Sequence, residues 1–382
     1  MTIRVLIVDD SAVMRALITR KLMEADDIEV AGTARNAAEA RQLIKALNPD
    51  VVTLDIEMPG MDGLSFLAKI MELRPTPVII VSGSTGPGAE ATAKAMQLGA
   101  VNCYAKSNAD RSIADDDGGL LVSLIREAAQ ISLPAPRRAG RPAPNPVPAR
   151  PGGPGGASTT GHSANIERPE LIVIGSSTGG VEALHTLLAG FPADCPPTVI
   201  VQHVNGCFAE AIARSLDREC APKIMLADPD RPLNRGEVVI AGGDDHHLVL
   251  GPRIASQSRY RCKYQAGQPT AGHRPSVDAL FHSAAEHARS QALGILLTGM
   301  GRDGAEGLLA LSEAGAHTIA QDEASCVVFG MPRAAIDLGA AKSVIGLKQI
   351  APRIFGRQIT GGAAAAAAGA VPLSARPAGK VR

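Results

Sequence analysis

The stretch Leu171-Ile172-Val173-Ile174-Gly175-Ser176-Ser177-Thr178-Gly179-Gly180, continued by Val181-Glu182-Ala183-Leu184, decides the fold of the second half of this chain. A run of branched apolar residues breaks at a turn of small residues, and a helical pattern follows. That order predicts a buried strand, a tight turn and a helix N-terminus. Gly175-Ser176-Ser177-Thr178-Gly179 also has the G-x-S-x-G spacing, which raises a serine hydroxyl on a sharp strand-to-helix turn. Glycine permits the turn and lets another group approach closely, and a helix N-terminus favours negative charge beside it. Alone, the motif fits three readings equally: a nucleophile turn, a phosphate loop, or a turn packed against its sheet.

The 382 residues are long enough for two or three domains, and no apolar run reaches the length of a membrane span. With 38 acidic and 38 basic residues, no global field points to nucleic acid. Met1-Thr2-Ile3-Arg4-Val5 runs straight into a strand pattern without a signal-peptide core. Cys103, Cys195, Cys207, Cys220, Cys262 and Cys326 form no C-x-x-C pair, so they read as reduced thiols of a cytoplasmic protein.

The first part of the chain, 1–131, alternates apolar strands with amphipathic helices, as a parallel α/β sheet does. Strands are expected at Ile3–Val8, Ile28–Ala31, Val51–Leu54, Pro77–Val81 and Ala100–Tyr104. Helices are expected after Ser11 and at Ala37–Leu47, Leu64–Leu73, Ala89–Leu98 and Leu120–Ile131. Asp9 and Asp10 end the first strand, Asp55 the third and Ser82 the fourth, and Lys106 follows the fifth. Open α/β sheets bind ligands at these C-terminal strand ends. Three converging carboxylates repel unless a hard divalent cation such as Mg²⁺ sits among them, and a carboxylate beside it is placed to accept a phosphoryl group.

These five residues, with the loop Asp55-Ile56-Glu57-Met58-Pro59-Gly60-Met61-Asp62-Gly63, resemble the response-regulator receiver family. The resemblance implies a flavodoxin-like fold, Asp55 as the phosphorylation site and Asp9 and Asp10 as its partners in binding Mg²⁺. It also implies Ser82 and Lys106 as the switch pair and a chemotaxis histidine kinase as phosphodonor. Two positions depart from the family: Cys103 stands where an aromatic is usual, and Ser107 where a proline is usual.

Residues 132–166, rich in proline, glycine and arginine, read as a flexible linker, and the alanine-rich stretch 358–382 as a disordered tail. Between them, 167–357 is a second, larger parallel α/β domain. Thr198–Val201 is a strand ending in Gln202-His203, and Leu293–Leu297 a strand ending in Thr298-Gly299-Met300-Gly301-Arg302-Asp303-Gly304. Glu237–Ile240 and His247–Leu250 flank a glycine turn and read as a β-hairpin. Ser177, His203 and Asp303 therefore all fall at strand ends on one edge. Acyl transfer needs such a set: histidine takes the serine proton, and aspartate fixes the histidine tautomer. Asp244-Asp245-His246-His247 has metal-ligand residue types, but neighbours along a hairpin point different ways. His282 and Glu286 fit a solvated helix face.

Gly175–Gly180, Gln202-His203, His273-Arg274-Pro275-Ser276-Val277-Asp278, Thr298–Gly304 and Gln321 through Pro332 resemble the catalytic domain of the chemotaxis protein-glutamate methylesterases. That resemblance implies Ser177 as nucleophile, His203 as general base, Asp303 as the orienting acid, and Thr178 and the Met300 N–H as oxyanion donors. It implies no cofactor at the esterase site. The implied substrates are methylated cytoplasmic helices of chemoreceptors, acted on by a monomer that enters no membrane and binds no nucleic acid, with glutamine deamidation as a second activity. Val204-Asn205-Gly206-Cys207-Phe208 departs from the family's Met-Pro-Pro-Gly-Phe, and Gly243 stands where a proline is usual. Two rival readings are a DNA-binding response regulator and a dinucleotide-binding oxidoreductase. The first lacks a compact helix-turn-helix, and the second lacks the G-x-G-x-x-G spacing.

Overall fold

The computed structural model describes residues 2–58, 63–83, 87–106, 119–131, 169–229, 231–243, 245–253 and 259–356. The expected linker at 132–166, the tail at 358–382, Ser107, Asp244 and positions 59–62 of the loop after Asp55 lie outside the described residues.

The first domain alternates β1 (Ile3–Val8), α1 (Ala12–Leu22), β2 (Ile28–Ala34), α2 (Ala37–Leu47), β3 (Val51–Leu54), α3 (Gly63–Leu73), β4 (Val78–Gly83), α4 (Pro87–Gln97), β5 (Asn102–Lys106) and α5 (Leu120–Ala129). Local signals start the helices. The Ser11 side chain accepts the Met14 N–H at 3.3 Å, and Asn36 accepts the Glu39 N–H at 2.9 Å. The strands form one parallel sheet in the order β2-β1-β3-β4-β5. Helices cover both faces, so strand residues alternate between two cores. Leu6 and Val8 join one with Leu54 and Ile80, while Val5 and Ile7 join the other with Ile79 and Val81.

The second domain contains β6 (Leu171–Ser176), α6 (Gly180–Leu188), β7 (Thr198–Gln202), α7 (Gly206–Glu219), β8 (Lys223–Leu226), β9 (Glu237–Ile240), β10 (His247–Leu250), β11 (Cys262–Gln265), α8 (Val277–His287), β12 (Ala292–Leu296), α9 (Ala305–Glu313), β13 (His317–Gln321), α10 (Met331–Asp337), β14 (Ser343–Ile345) and α11 (Leu347–Phe355). Seven strands make a parallel sheet in the order β14-β13-β12-β6-β7-β9-β8. β12, β6 and β7, which carry the loops of interest, are its centre.

The expected pairing of Glu237–Ile240 with His247–Leu250 does not form. β9 lies between β7 and β8 and pairs in parallel with both, which leaves it no free edge. β10 instead leaves the sheet and pairs antiparallel with β11, from His247 opposite Gln265 to Leu250 opposite Cys262. The antiparallel pair thus comes one strand later than the turn chemistry of Gly242 and Gly243 suggests.

The two domains touch through α4, which packs on α6 and α7. Gln97 Nε2 lies 2.7 Å from His185 Nε2, and Arg214 faces Glu90 at 3.9 Å. Val327 and Val328 pack against the core that holds Leu121 and Ile125 of α5. Among the described residues, no helix is long and apolar enough to cross a membrane.

Candidate functional site

The parallel ladder fixes where the three loops begin. Gly175 pairs with Val201 on one side and Leu296 on the other, so β6, β7 and β12 end at the same level. The pairing runs on into the loops. The Ser177 N–H donates to Thr298 O at 3.0 Å, and the His203 N–H donates to Ser176 O at 3.0 Å. At Gly299 a side-chain carbon would stand 2.7 Å from Ser177 Cβ, so only glycine lets this loop lie against the serine.

The two adjacent serines differ sharply. The Ser176 hydroxyl is fully buried and donates to Gln202 Oε1 at 2.7 Å. The Gln202 amide then donates to Ser177 O and His203 O, both at 2.9 Å, which locks the ends of β6 and β7 together. Ser177 is left as the serine whose hydroxyl no strand contact consumes. Gln202 stood in the sequence motif without a role, because its partner lies on the neighbouring strand.

Asp303 is 1% exposed and uses both carboxylate oxygens. Oδ2 accepts from His203 Nε2 at 2.8 Å and from the Val277 N–H at 2.7 Å. Oδ1 accepts from the Ser276 hydroxyl at 2.7 Å and from the Asp278 N–H at 3.0 Å. The carboxylate therefore sits on the N-terminus of α8, whose N-cap is Ser276. Burial pushes its pKa up, but the His203 contact, the helix N–H groups and Ser276 outweigh it and hold the group at about 2. The neighbouring Asp278 goes the other way. Burial and the charge on Asp303 raise it to about 6, although the Gly307 N–H donates to it at 2.7 Å. Sequence reasoning missed this cradle, and the Ser-x-Asp pattern opening α8 is the signal that marks it.

An ionised carboxylate only accepts, so the Asp303 contact puts the His203 proton on Nε2. Nδ1 is thereby left with a lone pair, and it is buried with no hydrogen-bond partner in the structure. No hydrogen bond joins it to Ser177. The His273 ring lies parallel to His203, with centroids 3.8 Å apart and planes at 9°. Thr178 is buried, and its hydroxyl donates to Glu127 Oε2 of α5 at 3.5 Å. Burial raises the Glu127 pKa, while protonation of His203 and the Thr178 contact oppose that rise. A carboxylate of the first domain thus reaches the edge that carries Ser177. Met300 is half-buried in the loop beside it.

The second group of expected residues also comes together. Carboxylate oxygens of Asp9, Asp10 and Asp55 all lie within 4.8 Å of one another. Lys106 Nζ reaches Asp9 at 2.9 Å and Asp55 at 2.7 Å. Burial, with the charge of Asp55, raises the Asp9 pKa despite Lys106. Lys106 is raised in turn, because its two carboxylates outweigh the opposing effect of burial. A lone ammonium thus leaves this site short of positive charge, and its hard oxygen donors fit a Mg²⁺ ion. Ser82 is fully buried at the end of β4 and donates to Gly88 O of α4 at 3.4 Å. Among the described residues, Asp9, Asp10 and Asp55 are the one group of three or more His, Cys, Asp or Glu side chains that could hold a metal; His247 of the histidine pair bonds instead to Gln268 O at 2.9 Å.

Comparison with known proteins finds a family for each of the two domains. The CheB methylesterase family profile matches residues 172–354, and the response regulator receiver domain profile matches residues 5–116. A protein-glutamate methylesterase/protein-glutamine glutaminase of Caulobacter vibrioides is 47% identical over 92% of this chain and 97% of its own length. One from Agrobacterium fabrum is 47% identical over 92% of this chain and 95% of its own. The solved catalytic domain of Thermotoga maritima CheB is 34% identical, covers 48% of this chain and 96% of its own, and superposes with a TM-score of 0.46. The chain belongs to the protein-glutamate methylesterase/protein-glutamine glutaminase family.

Proposed function

We propose that this protein hydrolyses glutamate methyl esters on chemoreceptors, deamidates receptor glutamines, and is switched on by phosphorylation of Asp55. The observation that carries the reading is the state of His203: Nε2 anchored on Asp303, Nδ1 buried and unpartnered.

In that mechanism Nδ1 takes the Ser177 proton as Oγ attacks the ester carbonyl carbon. Thr178 and the Met300 N–H donate to the oxyanion that forms. As the tetrahedral intermediate collapses, His203 returns the proton to the departing methoxide, which leaves as methanol. Water then gives a proton to His203 and attacks the acyl-serine; collapse frees the glutamate carboxylic acid and restores the Ser177 hydroxyl. With a glutamine side chain the first leaving group is ammonia. Asp303 stays ionised throughout and offsets the imidazolium charge.

For regulation, Asp9, Asp10 and Asp55 would hold Mg²⁺, which offsets the charge of a phosphoryl group on Asp55 when bound. Lys106 is placed to pair with that group. Ser82, now bonded to α4, would turn to the phosphoryl oxygens, and α4 packs on α6 and α7. Phosphorylation by a histidine kinase thereby loosens the first domain from the edge that Glu127 reaches.

The test is methanol release from methylated receptor membranes by wild type, Ser177→Ala and Ser176→Ala, with and without acetyl phosphate. Release should be lost with Ser177→Ala, survive in Ser176→Ala, and rise with the phosphodonor in wild type. Loss with Ser176→Ala but not with Ser177→Ala would reverse the nucleophile assignment.

A further inference from the structure

We propose that His273 is a positioning residue for the hydrolysis, acting through the face of the His203 ring. The proposal rests on His203 being the general base. One hydrogen bond from Nε2 to Asp303 leaves the imidazole free to pivot about that contact, because the outer torsion of a histidine is broad. A pivot would swing Nδ1 away from Ser177. The His273 ring, parallel at 3.8 Å, closes one face of His203, blocks the pivot and keeps water off that side.

His273 is itself on a rigid platform. Its N–H and C=O both bond to Thr270, at 2.9 and 3.0 Å, across a turn through Ala271 and Gly272. Beyond it, the Ser276 N–H donates to His247 Nδ1 at 3.2 Å, and His247 Nε2 bonds to Gln268 O at 2.9 Å. The strand β10 thus holds both ends of the loop.

The stack also suits the charge that catalysis creates. Burial, reinforced by repulsion from His203 when that ring is protonated, lowers the His273 pKa to about 4 even though Asp303 opposes this. A neutral π face therefore meets the transient imidazolium, an attractive arrangement. Parallel rings direct their nitrogens edgewise and cannot hydrogen-bond to each other through their faces. His273 is thus no second base or proton relay.

The experiment compares kcat and KM for methanol release by the full chain, activated with acetyl phosphate and Mg²⁺, in wild type and the variants His273→Ala, His273→Gln and His273→Phe. Removal of the ring in the alanine and glutamine variants should cut kcat about tenfold, the kinetic equivalent of ~1.4 kcal/mol, with KM within about twofold. Phenylalanine, a neutral ring without nitrogens, should restore most of the loss. Rescue by glutamine but not phenylalanine would overturn the proposal in favour of a hydrogen bond, and wild-type kcat in the alanine variant would overturn it outright. Equal losses in all three variants would assign His273 to folding alone and likewise refute the stack. Wild type serves as the control: if it releases no methanol, the proposed function fails and not the stack.

Discussion

Replacing Asp303 with asparagine separates the electrostatic part of the site from its hydrogen-bond geometry. Each carboxylate oxygen accepts one backbone N–H, Oδ2 from Val277 and Oδ1 from Asp278. Whichever way an asparagine amide turns, its NH₂ therefore meets a backbone donor. The two orientations are not equal. Ser276 can rotate its hydroxyl to accept from an amide, whereas His203 could accept only by moving its proton to Nδ1. The amide should thus face Ser276, leaving the Asp278 N–H unpaired and the His203 tautomer intact. A buried unpaired N–H costs about 1–3 kcal/mol, so urea unfolding should shift by about that amount. Catalysis loses the anion facing the imidazolium, worth about 4 kcal/mol at ~4 Å and an effective dielectric near 20. That corresponds to about a 10³-fold fall in kcat for methanol release, less than the roughly 10⁴-fold expected when the wrong tautomer is imposed. A fall below about tenfold would refute the electrostatic role. An unchanged unfolding midpoint would refute the trapped N–H.

Two further outcomes follow from the contacts described above. Glu127→Gln weakens the contact between the first domain and Thr178, so methanol release without phosphodonor should rise about 2–3-fold, the lower range for one hydrogen bond; a fall in basal release would show that Glu127 supports the site. His273 supplies a pH signature of stability. Its folded pKa of about 4 lies below the ordinary histidine value of 6.5, so the unfolded chain binds a proton first as pH falls. Stability is therefore lost between these values, at up to about 1 kcal/mol per pH unit. Urea denaturation of His273→Phe relative to wild type should show the variant gaining stability on going from pH 7 to pH 5, and a constant difference would refute a neutral buried His273.

Where a feature depends on neighbours a few residues away, the sequence displays it. α2 spans Ala37–Leu47 as its periodicity predicts, and β1, β3, β9 and β10 begin and end at the expected residues. The three catalytic candidates fall at strand ends because parallel β-α units bring every strand C-terminus to one edge. The failed hairpin shows the limit of this reasoning: Gly242 and Gly243 permit a turn, but pairing depends on which edge is free, and β7 and β8 occupy both edges of β9. Short elements such as β8 and β14 carry too little periodic pattern to stand out.

By itself, then, the sequence determines the two parallel sheets, the acidic cluster after β1 and β3, and the presence of serine, histidine and aspartate on one edge. Only the tertiary structure decides that Gln202 takes the Ser176 hydroxyl and leaves Ser177 free. It also decides that Asp303 rests on the N-terminus of α8 and bonds to Nε2 of His203, that His273 stacks on the ring, and that Glu127 reaches Thr178. These contacts join residues far apart in the chain. Local propensity acts over a few residues, whereas strand order and domain packing choose which distant side chains meet.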